Sequence, residues 1–422
     1  MMYNNNSKQG FYAFILYLIW PFLAAVTAFA NYRKPWAKNI FWLFCIFYGL
    51  TFAIGAESEG SDINSYVNQY QELHQERNLT FARSVEYYRN SGEIDVVRTS
   101  IAVILSRFTD SQPVLTLVYA IIFGFFFSRN MWYIMERLQG KLLPITILLL
   151  VCFFLVNPIW KINGFRMWAA AHVFLYGLLP YLCEGKTRYL WVSVLSLAFH
   201  FAMLVPLGIL LGYIVAGNRL NLYFGIFLFT MFFAEINLGA FNQMMEAYAP
   251  EILQERTSSY RMEGPDRPGM AVAQEESSRR WYAVWNSRAL RYAVMTLMIG
   301  IFITGREHFR KNRHWMNLFC FALAFYAAAN VLSSLSSGSR FYNIANLCAL
   351  PLIILYIQNV PQEKIMKRLG LLVSPGFLLF AIVGIRSSLY SMSATSILGN
   401  PVVAYFMFEE FMSMNDFLRM LL

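Results

Sequence analysis

The sequence predicts an all-α polytopic integral membrane protein, and three observations carry that reading. Of 422 residues, 58% are hydrophobic and 14% charged, where soluble domains run at ~45–50% and ~25%. The apolar residues fall in continuous runs and do not alternate, which argues against a β-barrel. About twelve spans of ~20 residues would use the apolar fraction. The same composition excludes a soluble enzyme, a disordered chain and a disulfide scaffold.

The runs follow in order: Phe11–Ala30, Asn39–Ala56, Gln112–Ser128, Leu142–Val156, Met167–Cys183, Tyr189–Ala216, Leu222–Gly239, Ala289–Thr304, Trp315–Leu335, Phe341–Ile357 and Leu371–Ile385. Ala28-Phe29-Ala30 resembles a cleavage site, but the apolar core before it is long and basic residues follow. The first run is therefore expected as a retained span.

Loop charge sets the sides. Arg33, Lys34 and Lys38 after the first run place the N-terminus outside. The inner loops then hold Arg129, Arg137 and Lys141; Lys186 and Arg188; Arg219; Arg306, Arg310, Lys311 and Arg313; and Lys364, Lys367 and Arg368. This alternation requires Tyr189–Ala216 to cross and return as two short or re-entrant halves, with His200 near the outer tip. Val96–Phe108, which contains Arg98 and Arg107, is expected as an amphipathic or re-entrant segment on the outer face. About twelve crossings result, with both termini outside. The single transmembrane domain then carries a first outer loop (57–111), a second (240–287) and an outer tail (386–422). Apolar residues from Phe406 to Leu422 recur at near-helical spacing and predict an interfacial helix.

The net charge is +10. In a membrane protein much of this is cytoplasmic anchoring, and nucleic acid is not implied. Arg outnumbers Lys 25 to 9, which points to bidentate recognition of phosphate or carboxylate. Cys45, Cys152, Cys183, Cys320 and Cys348 are dispersed and form no CxxC, so neither a zinc site nor a disulfide framework is signalled. No DxD-type motif or GxxxxGK[ST] loop occurs, so no metal, nucleotide or other cofactor is expected.

Four polar sites stand at the outer ends of spans: Asn163-Gly164-Phe165-Arg166, with His172 six residues on; His200; Ser336 to Tyr342, including Arg340; and Asp62 with Tyr66 and Tyr70. Ionisable residues at membrane depth cost ~2.5–3.5 kcal/mol each and are functional candidates. Each has a plainer role available: snorkelling for Arg166 and Arg340, a polar contact between helices for His200, a helix cap for Asp62 and packing for His172. Their convergence on one face favours chemistry on a phosphorylated substrate.

In this order the motifs resemble the EpsG family of Wzy-type bacterial polysaccharide polymerases. Asp62, Tyr66 and Tyr70 form an Asp-x-x-x-Tyr-x-x-x-Tyr pattern. Asn163, Gly164, Arg166 and Ala169 follow, then His200, then Gly338, Arg340 and Tyr342, and last Gly399-Asn400-Pro401. Ser61 stands where the family often has Arg, and Ala202 where it often has Ser after the histidine. The resemblance implies a metal-independent glycosyltransferase of GT-C-like architecture in the bacterial inner membrane, with its active site facing the periplasm. It implies lipid-linked oligosaccharide donor and acceptor, with undecaprenyl pyrophosphate leaving, and a chain-length-regulating membrane protein as a further partner.

The residues suit that chemistry. Arg166 and Arg340, then Arg386, Arg280 and Arg288, are candidate cations for the pyrophosphate. His200 and Asp62 are the candidate bases. Histidine titrates nearer neutrality, which inclines the reading to His200 with Asp62 orienting the acceptor. Tyr66, Tyr70, Tyr342 and Asn400 are candidate sugar contacts. An O-antigen-type ligase using the same donor and a lipid-linked oligosaccharide flippase are the alternative functions.

Overall fold

The computed structural model describes residues 2–53, 62–76, 95–231, 280–333, 338–360, 364–407 and 411–421. Among them the chain is helical, with one isolated bridge between Ser393 and Ser413 and no strand. Six helical segments in this set are long and apolar enough to cross a membrane, and five shorter apolar helices accompany them. The chain is a polytopic helical membrane protein. Ser61 and residues 240–279 and 334–337 lie outside the described residues.

Contacts between helix ends sort the chain into two poles. At one pole the basic loops join a single network. Arg33 Nη2 donates to Gly140 O, and Lys38 Nζ lies 3.2 Å from Glu136 Oε1. Glu184 pairs with both Arg137 and Lys186. Asn317 Nδ2 donates to Leu182 O at 3.2 Å and Asn218 Nδ2 to Asn317 Oδ1 at 2.6 Å. The five expected inner loops from Arg33 to Arg313 thus meet at one pole, as loop charge predicts.

The first span is a correction. Helices α1 (Met2–Ile19) and α2 (Pro21–Ala30) form a hairpin and not one crossing. Trp20 leaves the helical region, with φ −150 and ψ 87, and Pro21 opens the next helix. A residue before proline is pushed toward extended backbone. The turn brings Asn6 Oδ1 within 3.4 Å of Lys34 Nζ. The N-terminal residues therefore lie at the basic pole, opposite to the expected side. Trp20 itself lies at the other pole, where its Nε1 donates to Ile397 O at 2.6 Å.

Helix α3 (Ala37–Leu50) returns to that pole and is followed by α4 (Asp62–Gln75) and α5 (Val96–Leu105). α6 (Gln112–Met135) descends to the basic pole, and α7 (Pro144–Val156) rises. A 3-10 turn, Ile159–Gly164, then feeds α8 (Phe165–Glu184).

The run 189–216 breaks at His200 into α9 (Leu190–Phe199) and α10 (Leu204–Ala216). Tyr189 meets Tyr176 with ring centroids 6.0 Å apart, and Asn218 reaches Asn317 at the basic pole. His200 lies at the opposite pole beside Asp95. The chain thus reverses at His200. At 1.5 Å per residue the two arms are only ~15 and ~20 Å long, short of the ~30 Å hydrocarbon core. α9 holds its place by lying against α8. A Cβ at Gly177 would sit 2.5 Å from Ser193 N, so only glycine permits this approach. Small residues serve such helix contacts within membranes.

The remaining helices are α11 (Leu220–Thr230), α12 (Trp281–Lys311), α13 (Arg313–Leu332), α14 (Arg340–Asn359) and α15 (Lys364–Ser391). α12 begins inside the expected second loop, and α15 runs past Ile385, so Arg386 belongs to a helix and not to a tail. The expected interfacial helix over 406–422 falls only partly within the described residues. α16 (Ala394–Leu398) and α17 (Pro401–Phe406) are short, residues 408–410 lie outside the described set, and α18 spans Met414–Leu421. Hydrogen bonds Ala394 N to Met412 O and Met414 N to Met392 O fold this segment back on itself.

Candidate functional site

Three residues distant in sequence meet at the non-basic pole. Asp95 precedes α5 as its N-cap, yet its side chain caps nothing. Its carboxylate instead accepts from His200 Nδ1 at 3.1 Å, from Phe201 N at 3.1 Å and from Arg166 Nη1 at 3.1 Å. The Asp95 side chain is 7% exposed and that of His200 12%. Burial pushes the Asp95 carboxyl up. The hydrogen bond and charge of His200, the Arg166 charge and the Phe201 amide outweigh it and hold the carboxyl below its ordinary value. An ionised carboxylate only accepts, so Nδ1 carries a proton, and in the neutral form of the ring the Nε2 lone pair is left for other work.

His200 is delivered by the break between α9 and α10, where its extended backbone (φ −157, ψ 127) ends the first arm. Arg166 is delivered by the first turn of α8. Its Nε donates to Tyr66 OH at 2.9 Å while Nη1 holds Asp95. Beneath them Arg98 is buried, bonds Gln69, and places its guanidinium 4.8 Å from the Tyr66 ring centroid. Burial raises the Tyr66 phenol to about 12, despite Arg166 and Arg98 nearby, so it stays a neutral acceptor for Arg166. α4, α5, α8 and the α9–α10 corner are locked together through these bonds.

The Asn163-Gly164-x-Arg166 motif acquires a steric reason. A Cβ on Gly164 would lie 2.9 Å from Trp168 Cδ1 and 3.5 Å from Asp62 Oδ2. The Trp168 indole so placed receives Lys161, whose Nζ stands 3.7 Å from the ring centroid. Lys161 is half-buried, and the exposed Arg340 at the start of α14 is close enough for its charge to act on it.

The predicted residues divide as follows. His200 and Arg166 come together, joined by Asp95. Asp62 is exposed at the start of α4, beside Gly164 and within electrostatic reach of Arg166. Tyr66 and Tyr70 are 4% and 0% exposed, so both rings pack inside the protein in this conformation. Tyr342 donates to Asn330 Oδ1 at 3.0 Å, and Arg291 covers its ring at 4.8 Å. Arg386 and Arg280 converge on the Tyr282 hydroxyl, Arg280 at 3.4 Å, and form a second, exposed cluster. Arg288 lies half-buried in the second turn of α12. The Asn400 carbonyl caps α17 by accepting from Val402 N and Val403 N, both at 3.0 Å. His172 is fully buried and bonded to Asn157 O at 2.8 Å, a packing role.

Sequence reasoning missed Asp95, Arg291 and Lys161. A signal for Asp95 exists: an acid three residues before an arginine at the start of an apolar segment, where a buried guanidinium needs polar partners. Among the described residues no group of three or more His, Cys, Asp or Glu is placed to hold a metal.

No curated protein and no solved structure gives a match to the chain. A model of the EpsG family matches residues 40–408. That range contains Asp95, Lys161, Arg166, His200 and Arg340. The chain belongs to the EpsG family, a family of Wzy-like polysaccharide polymerases.

Proposed function

We propose that the chain joins oligosaccharide repeat units carried on undecaprenyl pyrophosphate, at the periplasmic face of the bacterial inner membrane, within a GT-C-like architecture. The observation that carries this reading is the His200–Asp95–Arg166 constellation. It lies at one pole with the Lys161–Arg340 pair, opposite the basic anchoring loops, in a chain of a polymerase family.

An acceptor sugar hydroxyl gives its proton to His200 Nε2 as its oxygen attacks the donor anomeric carbon. Asp95 orients the ring through Nδ1–H and steadies the imidazolium that forms. The bond from the anomeric carbon to the phosphate oxygen breaks, and the lipid pyrophosphate leaves with the electron pair. Its charge needs fixed cations. Arg166 is committed to Asp95 and Tyr66, so Arg340 and Lys161 take that role, with the Arg280–Arg386 cluster and Arg288 at the rim. Asp62 orients the acceptor at the mouth of the site. Every group used is a side chain of this chain, and the scheme runs without a metal.

The test is reconstitution of the purified protein with undecaprenyl-pyrophosphate repeat unit, with products separated on a gel. A ladder spaced by one repeat unit supports polymerisation. Transfer only to a foreign acceptor would make the protein a ligase, and movement of donor between leaflets without transfer would make it a flippase.

A further inference from the structure

We propose that the basic pole holds a binding site for the phosphate headgroup of an anionic phospholipid, in the leaflet opposite the transfer site. A cavity of about 390 Å³ opens there between the start of α11 and the last turns of α12. Its wall carries Arg219, Arg306 and Arg310, and no carboxylate is among its lining residues. Arg306 and Arg310 are four apart on one helix and so face the same way.

The floor is organised for an anion. Arg306 Nη2 donates to Asn221 Oδ1 at 2.6 Å, which fixes the guanidinium across the mouth of α11. Arg219 Nε donates to Ala216 O at 3.1 Å, which ties that side chain down at the start of the same helix. α11 has no side-chain cap, and its first helical bond is Tyr223 N to Arg219 O. The amides of Leu220, Asn221 and Leu222 therefore precede the bonded ladder and add to the positive end of the helix. Three guanidiniums and this helix start enclose a volume that accommodates a phosphodiester and its polar substituent.

The neighbours identify the source of the phosphate as a lipid. Leu222 lines the cavity and is exposed, as are Leu211 and Val215 on α10, Ile226 on α11 and Ile303 on α12, the helices that lead to it. In a membrane-spanning chain these side chains meet acyl tails, so a ligand with two tails and an anionic head satisfies both surfaces. Basic pockets between spans on the cytoplasmic side recognise such headgroups. The site is independent of the transfer chemistry, and its failure would leave that reading intact.

The full chain, purified in mild detergent, is titrated with phosphatidylglycerol and examined by native mass spectrometry, with and without excess inorganic phosphate. The wild type should retain one lipid that phosphate does not displace. Arg306→Gln with Arg310→Gln should weaken retention about tenfold or more. Asn221→Asp should do the same by adding a carboxylate opposite Arg306. An acid in the first turn favours the helix, so this variant keeps its fold. Arg188→Gln, exposed and outside the cavity, serves as control and should bind as the wild type does. Unchanged retention in Arg306→Gln/Arg310→Gln and Asn221→Asp would overturn the site. Full displacement by inorganic phosphate would overturn the lipid assignment in favour of a soluble phosphate compound.

Discussion

Replacing Asp95 by Asn separates a structural carboxylate from a catalytic one. The substitution keeps shape and keeps one oxygen, which can still accept from Phe201 N. The other position becomes an NH2 group. It now faces Arg166 Nη1 and His200 Nδ1, each 3.1 Å from the oxygen it replaces. Arg166 loses a charge-assisted bond, at ~1.5–3 kcal/mol. His200 can answer by moving its proton to Nε2, so that Nδ1 accepts from the amide. That tautomer has no lone pair for the acceptor hydroxyl. In the Ser-His-Asp template the equivalent loss is ~10⁴-fold in turnover with geometry intact. Asp95→Asn should therefore cut ladder formation ~10³–10⁴-fold, mainly in kcat, with a stability loss of only ~2 kcal/mol. Asp62→Asn, at an exposed carboxylate, should cost ~10-fold or less and act mainly on KM. The assay is initial rate of ladder formation with melting curves on the same preparations. If Asp62→Asn abolished the ladder while Asp95→Asn stayed within ~10-fold of wild type, the Asp95–His200 assignment would be refuted.

Further outcomes follow from the same geometry. Arg166→Lys should lose most activity, because one ammonium on a flexible stem cannot hold Tyr66 OH and Asp95 in the geometry of a guanidinium; near-normal rates would mean that the arginine merely snorkels. Lys161→Gln and Arg340→Gln should each raise the KM for the lipid donor and lower kcat, read from donor titrations, and a donor KM unchanged in both would remove the cation pair from the scheme. The Asp95 carboxyl is held below its ordinary value, so its ionised form favours the folded state. The Tm gap between wild type and Asp95→Asn should be constant at neutral pH and narrow as pH falls below ~3.9, and a gap unchanged down to pH ~2 would count against an ionised Asp95. Gly177→Ala should destabilise by ~1–3 kcal/mol through overpacking against Ser193 and should lower activity by shifting the arm that carries His200, checked by melting and rate together. A cysteine placed at Lys8 should label from the same side as one at Arg188; labelling with one at Trp281 instead would restore a single first span.

The spans and the basic loops were legible because continuous apolar runs and loop charge are signals of the chain itself. Even the reversal at His200 could be read, since 28 residues had to cross and return for the charges to alternate. The reversal at Trp20 could not, because Phe11–Ala30 is uniformly apolar and of spanning length. Its only trace is the Trp20-Pro21 dipeptide. The site was half legible. His200, Arg166 and Arg340 stand out as polar residues at span ends, whereas Asp95 is one acid in a long polar loop and looks like a helix cap. Its partners lie 71 and 105 residues away, and no local pattern encodes that meeting. Lys161 was hidden for a different reason. It sits between two apolar runs, where a lysine reads as an interfacial anchor until Trp168 is seen beside it.

The electrostatics of the cluster divide the labour among its members. A carboxylate whose proton affinity is pushed below the ordinary range is a poor proton acceptor near neutral pH. Asp95 is therefore unsuited to be the base, although it is the best buried acid at the site. In the proposed scheme it holds Nδ1–H and balances the positive charge that His200 acquires during transfer. Arg166 is needed to keep that carboxylate ionised at low exposure, and each bond it gives to Asp95 and Tyr66 is one it cannot give to a phosphate. With the arginine used in this way, the proposed scheme assigns other cations to the leaving group. Arg340 and Lys161 lie at the same pole and are bound to no carboxylate among the described residues. Two like charges held near each other repel, and a pyrophosphate between them relieves that repulsion. In the proposed scheme that relief favours donor binding, and it grows as negative charge accumulates on the departing oxygen.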